Sequence, residues 1–403
     1  MDSAKKFNLF ALSGSHAVNA FYTQLLIPVL PLIVVEFDLN YVQAGLIVST
    51  YSVANSVFQL PLSFVSDYTG RWRTALALSL FTQALPVLLY GYAADYSLLL
   101  LFVFISGIGS SAYHPPAVAL ITRELPGRRG FCMGLFNAGG DVGNIITPAL
   151  VAWLAFYFAS WRTAAQLFVI PGLLWAALIW LRFRDVSTER QPLRQPLRQA
   201  ARATFRSLFG NRPLMLLVLL SSFRITGFRG LIAFLPLYLV EEFGFGTREV
   251  GWTLSSYFIL GTVMTVLVGR WSDGRSRTRI ILALTILVAA ALASLSWVSS
   301  TPAVLLALAA IGCLLTPVPS LVLAVGTELV EERRRSSSVG LIYAVNEGAS
   351  AISPIIGGAV ALWLGLRFSF LFYALMFVAA SAVGLLLHRE SVRREAALAG
   401  GGA

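Results

Sequence analysis

The sequence predicts an all-α membrane protein of twelve transmembrane helices, arranged as two pseudo-symmetric six-helix bundles. Three observations carry this. Hydrophobic residues make up 57% of the 403-residue chain and charged residues 12%, about half the charged share of a soluble domain. Apolar runs of about 20 residues recur from end to end, each long enough to cross a bilayer core of about 30 Å as a helix. The chain also repeats itself. Adding 206 to Asp67, which opens D-Y-T-G-R-W-R, gives Asp273, which opens D-G-R-S-R-T-R. The same shift carries the segment from Gly134 to Pro148 onto that from Gly340 to Pro354, and Asp141 onto Glu347. Two halves in one register are the pattern of parallel-repeat transporters.

The spans follow in order. The first bundle, residues 1–181, holds apolar runs at 8–35, 42–66, 74–94, 97–121, 131–158 and 161–181. The first run is far longer than the apolar core of a cleavable leader, about 7–15 residues, so it is read as a span. Residues 182–212 are a polar linker containing R-Q-P-L-R-Q-P-L-R. Such a run cannot enter hydrocarbon. Its stretch Leu197 to Phe209 is either a basic amphipathic helix on the inner leaflet or a solvated connector. The second bundle, 213–390, holds runs at 213–240, 248–271, 279–299, 302–330, 338–364 and 366–388, and 391–403 read as a disordered tail. Pro31 falls near Pro236 and Pro115 near Pro319, so corresponding spans share helix-breaking positions.

The net charge of +11 is topological. Arg162, Arg248 and Arg367 fall in loops on one side, Arg224 and Arg229 inside a span, and every other Lys and Arg on the opposite side. The positive-inside rule then places both termini in the cytoplasm of a bacterial-type inner (plasma) membrane. This charge implies contact with membrane lipid and no nucleic-acid partner. Cys132 and Cys313 sit in separate apolar runs, without metal-ligand spacing or a disulfide framework.

Several polar residues stand out against the apolar background. Asp67, Gly70 and Arg71 follow the second span, and Asp273, Arg275 and Arg277 follow the eighth. An acid at a helix end, a tight turn and basic residues form a clamp that can close in one conformation and open in another. The second copy has Ser276 where Gly70 maps. Asp141 lies about ten residues into its span, about 15 Å deep, and Glu347 lies at the same depth in the eleventh. Carboxyls buried there pair or hold a proton, so both are candidates for proton coupling. Arg224 lies about 16 Å in from Pro213, with Arg229 five residues on. A guanidinium at that depth suits an anionic substrate or an internal acid. His16, Asn19 and Tyr22 share a broad face of the first span, and His114 precedes two prolines in the fourth. These four are candidate substrate residues, and His114 is also a candidate proton relay. By the repeat, Asn19 matches Arg224 in depth.

The loops after spans two and eight resemble the signature loop of the major facilitator superfamily, and the 6+6 layout covers the whole chain. The resemblance implies the major facilitator fold. It gives the acid and arginine of each loop the task of holding the cytoplasmic side closed. It also implies that spans one, four, seven and ten line the central cavity, which places His16, His114 and Arg224 there. G-G-D-V-G-N-I-I-T-P in the fifth span is similar to a degenerate form of the superfamily's exporter glycine-proline motif. The helix-1 histidine, G-I-G-S-S-A-Y-H-P and F-R followed by F-L-P-L-Y-L resemble the fosmidomycin-resistance type of exporter. Asn19 replaces an acid expected in that group, and the fourth span lacks the membrane arginine typical of many drug/proton antiporters.

The sequence is thus read as a monomeric, proton-coupled exporter of a small organic anion or drug, needing no cofactor or metal. A proton-coupled importer of an anionic metabolite and a non-transporting sensor or assembly factor on the same fold are the alternatives. No G-x-x-x-x-G-K-[ST] loop is present for ATP drive, and no nucleophile–base set for an enzyme.

Overall fold

The computed structural model describes residues 3–125, 129–185, 208–331 and 335–400, and no strand occurs among them. The first span is broken: α1 (Ser3–Gln24) stops before Pro28, and α2 (Leu30–Glu36) restarts with proline in its first turn, where the missing amide costs nothing. α3 (Tyr41–Thr69) opens with a reciprocal capping box between Asn40 and Gln43. Then come α4 (Trp72–Tyr90), α5 (Tyr96–Ser111), α6 (His114–Glu124), α7 (Arg129–Tyr157), α8 (Trp161–Leu167) and α9 (Val169–Arg182). The second half runs through α10 (Arg212–Phe243), α11 (Thr247–Ser272), α12 (Arg277–Ser294), α13 (Thr301–Leu315), α14 (Val318–Glu328), α15 (Arg335–Leu364) and α16 (Leu366–Gly400).

Ten of these segments, with α5–α6, α8–α9 and α13–α14 each counted as one, are long and apolar enough to cross a membrane. The remaining two spans, α1 with α2 and α3, carry Ser13, His16 and Asn19, and Ser49, Ser52 and Asn55, respectively. These side chains lower their apolarity. With them the helices match the predicted twelve-span fold. Proline does not break every span that holds one. Pro61, Pro86, Pro148, Pro236 and Pro354 lie inside continuous helices. The first and seventh spans therefore differ: Pro31 follows a break, whereas α10 runs through Pro236. α16 continues to Gly400, where the sequence suggested a disordered tail from 391. The proposed linker helix lies outside the described residues except for Leu208 and Phe209.

The chain forms two compact units, residues 1–190 with 233–258, and residues 191–232 with 259–403. In the first, α7 lies against α1. A side chain at Gly143 would come 2.5 Å from the Ala17 carbonyl oxygen, so glycine permits the close approach. The same unit holds the start of α11 on α7. The Arg248 guanidinium sits 4.0 Å from the Phe156 ring centre, and a side chain at Gly251 would come 2.6 Å from the Pro148 carbonyl oxygen. Tyr41 also donates to the Glu241 carboxylate. The second unit is cored by Leu217, Leu220, Ile281, Val318 and Ile342, all essentially inaccessible.

Candidate functional site

In the first unit the α5–α6 break builds a polar pocket wall. α5 ends at Ser111, and Pro115 and Pro116 cannot donate to the preceding turn. The backbone turns at Ala112–Tyr113 and restarts with His114 as the first residue of α6. This brings His114 to His16 of α1, with ring centres 5.3 Å apart and planes nearly perpendicular. The His16 ring stacks on Phe136 of α7 at 4.2 Å and faces Tyr113 at 5.8 Å. Its Nδ1 lies 2.8 Å from the Phe136 carbonyl oxygen. The Tyr113 hydroxyl is held 2.7 Å from Ser15 Oγ. Two histidines read separately from the sequence thus belong to one cluster.

Asn19, one turn along α1, is 4% exposed, and its Oδ1 has no hydrogen-bond partner among the described residues. Tyr22 does not join these groups. Its hydroxyl donates to the Phe168 carbonyl at 3.0 Å, at the α8–α9 junction, and its body is buried. Its contacts are those of a packing residue tying α1 to the sixth span. Asp141 also departs from expectation: its side chain is exposed rather than buried. The neighbouring glycines turn the opposite face of α7 to α1, with Gly140 under the His16 ring.

In the second unit α10 and α15 bring together Arg224, Tyr343, Asn346 and Glu347. Arg224 is 4% exposed. Arg224 and Glu347 both act electrostatically on the Tyr343 hydroxyl. One turn away, Asn346 donates to Ser221 Oγ at 2.9 Å, and Ser353 donates to the Thr226 carbonyl. Glu347 Oε2 and Arg229 Nε are buried without hydrogen-bond partners among the described residues. The helix pair joined by the Asn346 and Ser353 hydrogen bonds thus carries a buried cation on one helix and an acid on the other.

The two clamp loops differ in detail. α3 runs through Asp67 to Thr69, and Gly70 ends it in the left-handed region, φ 63°. The Asp67 side chain lies outside the described residues. Arg71 is exposed, and the ion pair described in this loop is Arg73 with Asp185, at 3.3 Å. Asp185 also accepts from the Thr74 amide at 3.1 Å and from the Thr74 hydroxyl. It therefore caps the first turn of α4 from a segment far along the chain. Burial raises its carboxyl pKa, but the Thr74 hydrogen bonds and the Arg73 guanidinium outweigh this and hold it below the usual range.

In the second copy α11 stops at Ser272 and the left-handed residue is Gly274, φ 75°. The glycine missing at Ser276 is thus supplied two residues earlier. Arg277 bridges Asp273, at 2.9 Å, and Glu328 at the end of α14. Arg275 stays out of this triad, donating to the Trp271 carbonyl at 2.7 Å and lying over its ring.

Asp185, Glu328, Tyr343 and Phe136 escaped the sequence reading. Glu328 had a signal: the shift of 204 relating Pro115 to Pro319 carries Glu124 onto Glu328. Asp185 had none, because its partners are more than a hundred residues away.

The family model described as the Major Facilitator Superfamily matches residues 12–346 and 217–403. The fosmidomycin resistance protein of Escherichia coli K12 is 26% identical over 278 residues, covering 68% of this chain and 66% of that protein. A hexuronate transporter of Bacillus subtilis is 25% identical over 261 residues, covering 60% of this chain and 58% of that protein. The matched region thus spans less than two thirds of either relative. A solved bacterial homologue of the human lysosomal transporter Spinster superposes with a TM-score of 0.83 at 18% identity, covering 96% of this chain and 98% of that one. That likeness is one of fold.

Proposed function

We propose that this chain, which belongs to the Major Facilitator Superfamily and is a multi-pass membrane transport protein, is a proton-coupled exporter of small organic anions working by alternating access. The observation that carries the reading is Arg224, a nearly inaccessible guanidinium in an apolar helix. A central arginine costs a membrane helix about 2.5–3.5 kcal/mol on insertion scales, a cost that an anionic partner offsets. Its planar fork can grip a carboxylate, sulfonate or phosphonate through two hydrogen bonds. Glu347, on α15 packed against the helix of Arg224, can neutralise the arginine when no substrate is bound. An arriving anion then competes with that carboxylate for Arg224. Asp141 provides a second titrating acid, on an exposed face of α7.

Arg229 extends the cationic stretch of α10, and Asn19 offers an unused acceptor on α1. Asp67, Gly70 and Arg71, and the Asp273–Arg277–Glu328 triad, latch the cytoplasmic ends. The protein works as a monomer in an inner (plasma) membrane with both termini cytoplasmic, in contact with lipid through its basic inner segments.

Export is favoured by the relative named for fosmidomycin resistance. Import of an anionic metabolite is the second reading, favoured by the relative named for hexuronate, an organic anion. Flux in proteoliposomes with an imposed pH gradient separates them. Export by antiport gives anion movement opposite to the proton gradient, and import by symport gives movement along it. Flux of cations but no anions overturns the proposal.

A further inference from the structure

His16 and His114 sit closer together than any function assigned to them singly requires. The Phe136 carbonyl oxygen, 2.8 Å from His16 Nδ1, carries lone pairs only. Nδ1 must therefore keep its hydrogen in the neutral and the charged ring alike. The titrating nitrogen is then Nε2. The ring around it stacks on Phe136 at 4.2 Å and lies beside Tyr113 at 5.8 Å. A side chain at Gly140 would come 2.7–3.0 Å from Cε1, Nε2 and Nδ1, so only glycine leaves the ring this position.

His114 faces the same ring at 5.3 Å. It is also the first residue of α6, at the positive end of that helix, where a second cation is disfavoured. Two charged imidazoles this close in an apolar setting repel strongly. The other titratable or charged groups on the elements packed here leave the pair largely to itself. On α1 they are Lys5 and Lys6 at its start and Tyr22, bonded to Phe168. Across the α5–α6 break they are Tyr96 at the start of α5, bonded to the Gln43 carbonyl, Tyr113, held by Ser15, and Arg123 and Glu124, paired with each other at the far end of α6. On α7 they are Arg129 at its start, buried Cys132, Asp141, the one carboxyl in that helix and the residue after Gly140, and Tyr157 at its far end.

We infer that His16 and His114 form one proton-binding site that holds a single proton, carried on His16 Nε2, while His114 stays neutral. The site changes the first unit by one unit of charge. In transport it supplies a coupling proton site separate from Glu347, and that use rests on the proton-coupled reading above; the site itself does not.

The chain has three histidines, so imidazole 15N resonances of the full-length protein in nanodiscs fall into three Nδ1/Nε2 pairs, assigned with His16→Gln, His114→Gln and His388→Gln. The wild type carries the test, and His388 is the internal reference. At high pH His16 is expected as the Nδ1–H form. On acidification His16 alone of the pair gains a proton. An Nε2–H form of His16, protonation of both rings, or protonation of neither overturns the inference. If the pair titrates as described but flux ignores a pH gradient, proton coupling fails and the site stands. Gradient-driven flux with a silent pair sinks the site and leaves the coupling.

Discussion

The hydroxyl of Ser255 donates to the carbonyl of Ile145 at 2.6 Å, although the two residues lie in different halves of the sequence. Ala149, the amide that would normally take that carbonyl in α7, donates to the same hydroxyl at 3.1 Å. A side chain of α11 is thus inserted into the ladder of α7 beside Pro148, which has no amide of its own. Gly251, one turn before Ser255, leaves room for this approach.

Ser255→Ala removes the shared partner of two half-buried backbone groups. We expect a loss of about 1–3 kcal/mol, read as a lower unfolding midpoint in detergent. A loss below about 0.5 kcal/mol would mean that α7 closes its own ladder once the hydroxyl is gone.

The left-handed turns after α3 and α11 rest on Gly70 and Gly274. Alanine at either position is expected to cost about 1–2 kcal/mol, because Cβ crowds the following carbonyl at positive φ. Ser276→Gly, at the position that maps onto Gly70, gives no compensating gain. Equal stability of Gly274→Ala and wild type would show that the second turn can be made another way.

Asp185 is the group outside the spans from which a pH dependence follows. Its side chain is 19% exposed, and its folded pKa lies below the ordinary value because Thr74 and Arg73 favour the carboxylate over the burial that opposes it. The native state therefore binds its proton less readily than the unfolded chain, whose value is about 3.9. The stabilisation is fully present above that value and is lost as pH falls through the lower folded value. Asp185→Asn should lower stability by about 1 kcal/mol at neutral pH, and the gap should close on acidification. A gap that is constant with pH would remove the carboxylate from this role.

Much of the fold was legible because it depends on local properties. Apolar length marks a span, and Asp67 with Asp273 marks the repeat. The two prolines after His114 located the α5–α6 break correctly, since two missing amides in succession leave α-helix little option. Pro148 and Pro236 gave no such guidance. Whether a helix bends through proline depends on what its neighbours supply, and Ser255 is more than a hundred residues from Pro148. The same limit governs the site. Polar residues in spans could be found one by one, and two of them, His16 and His114, proved to be partners. Tyr22 could not be separated from them by spacing alone, because its direction is set by a carbonyl at Phe168. Asp141 was expected to be buried because its depth was legible; the face it presents depended on Gly140 and Gly143 turning toward α1.

The central claim is that Arg224 holds an anion. It is tested most directly by uptake of radiolabelled hexuronate and of a panel of sulfonates and phosphonates into proteoliposomes carrying wild type, Arg224→Ala or Arg224→Lys. Arg224→Ala is expected to lose flux of the transported anion by about 100-fold or more, equivalent to about 3 kcal/mol for a buried charged hydrogen bond. Arg224→Lys should recover only part of it, since an ammonium lacks the planar fork. Anion flux through Arg224→Ala equal to that of wild type would contradict the account.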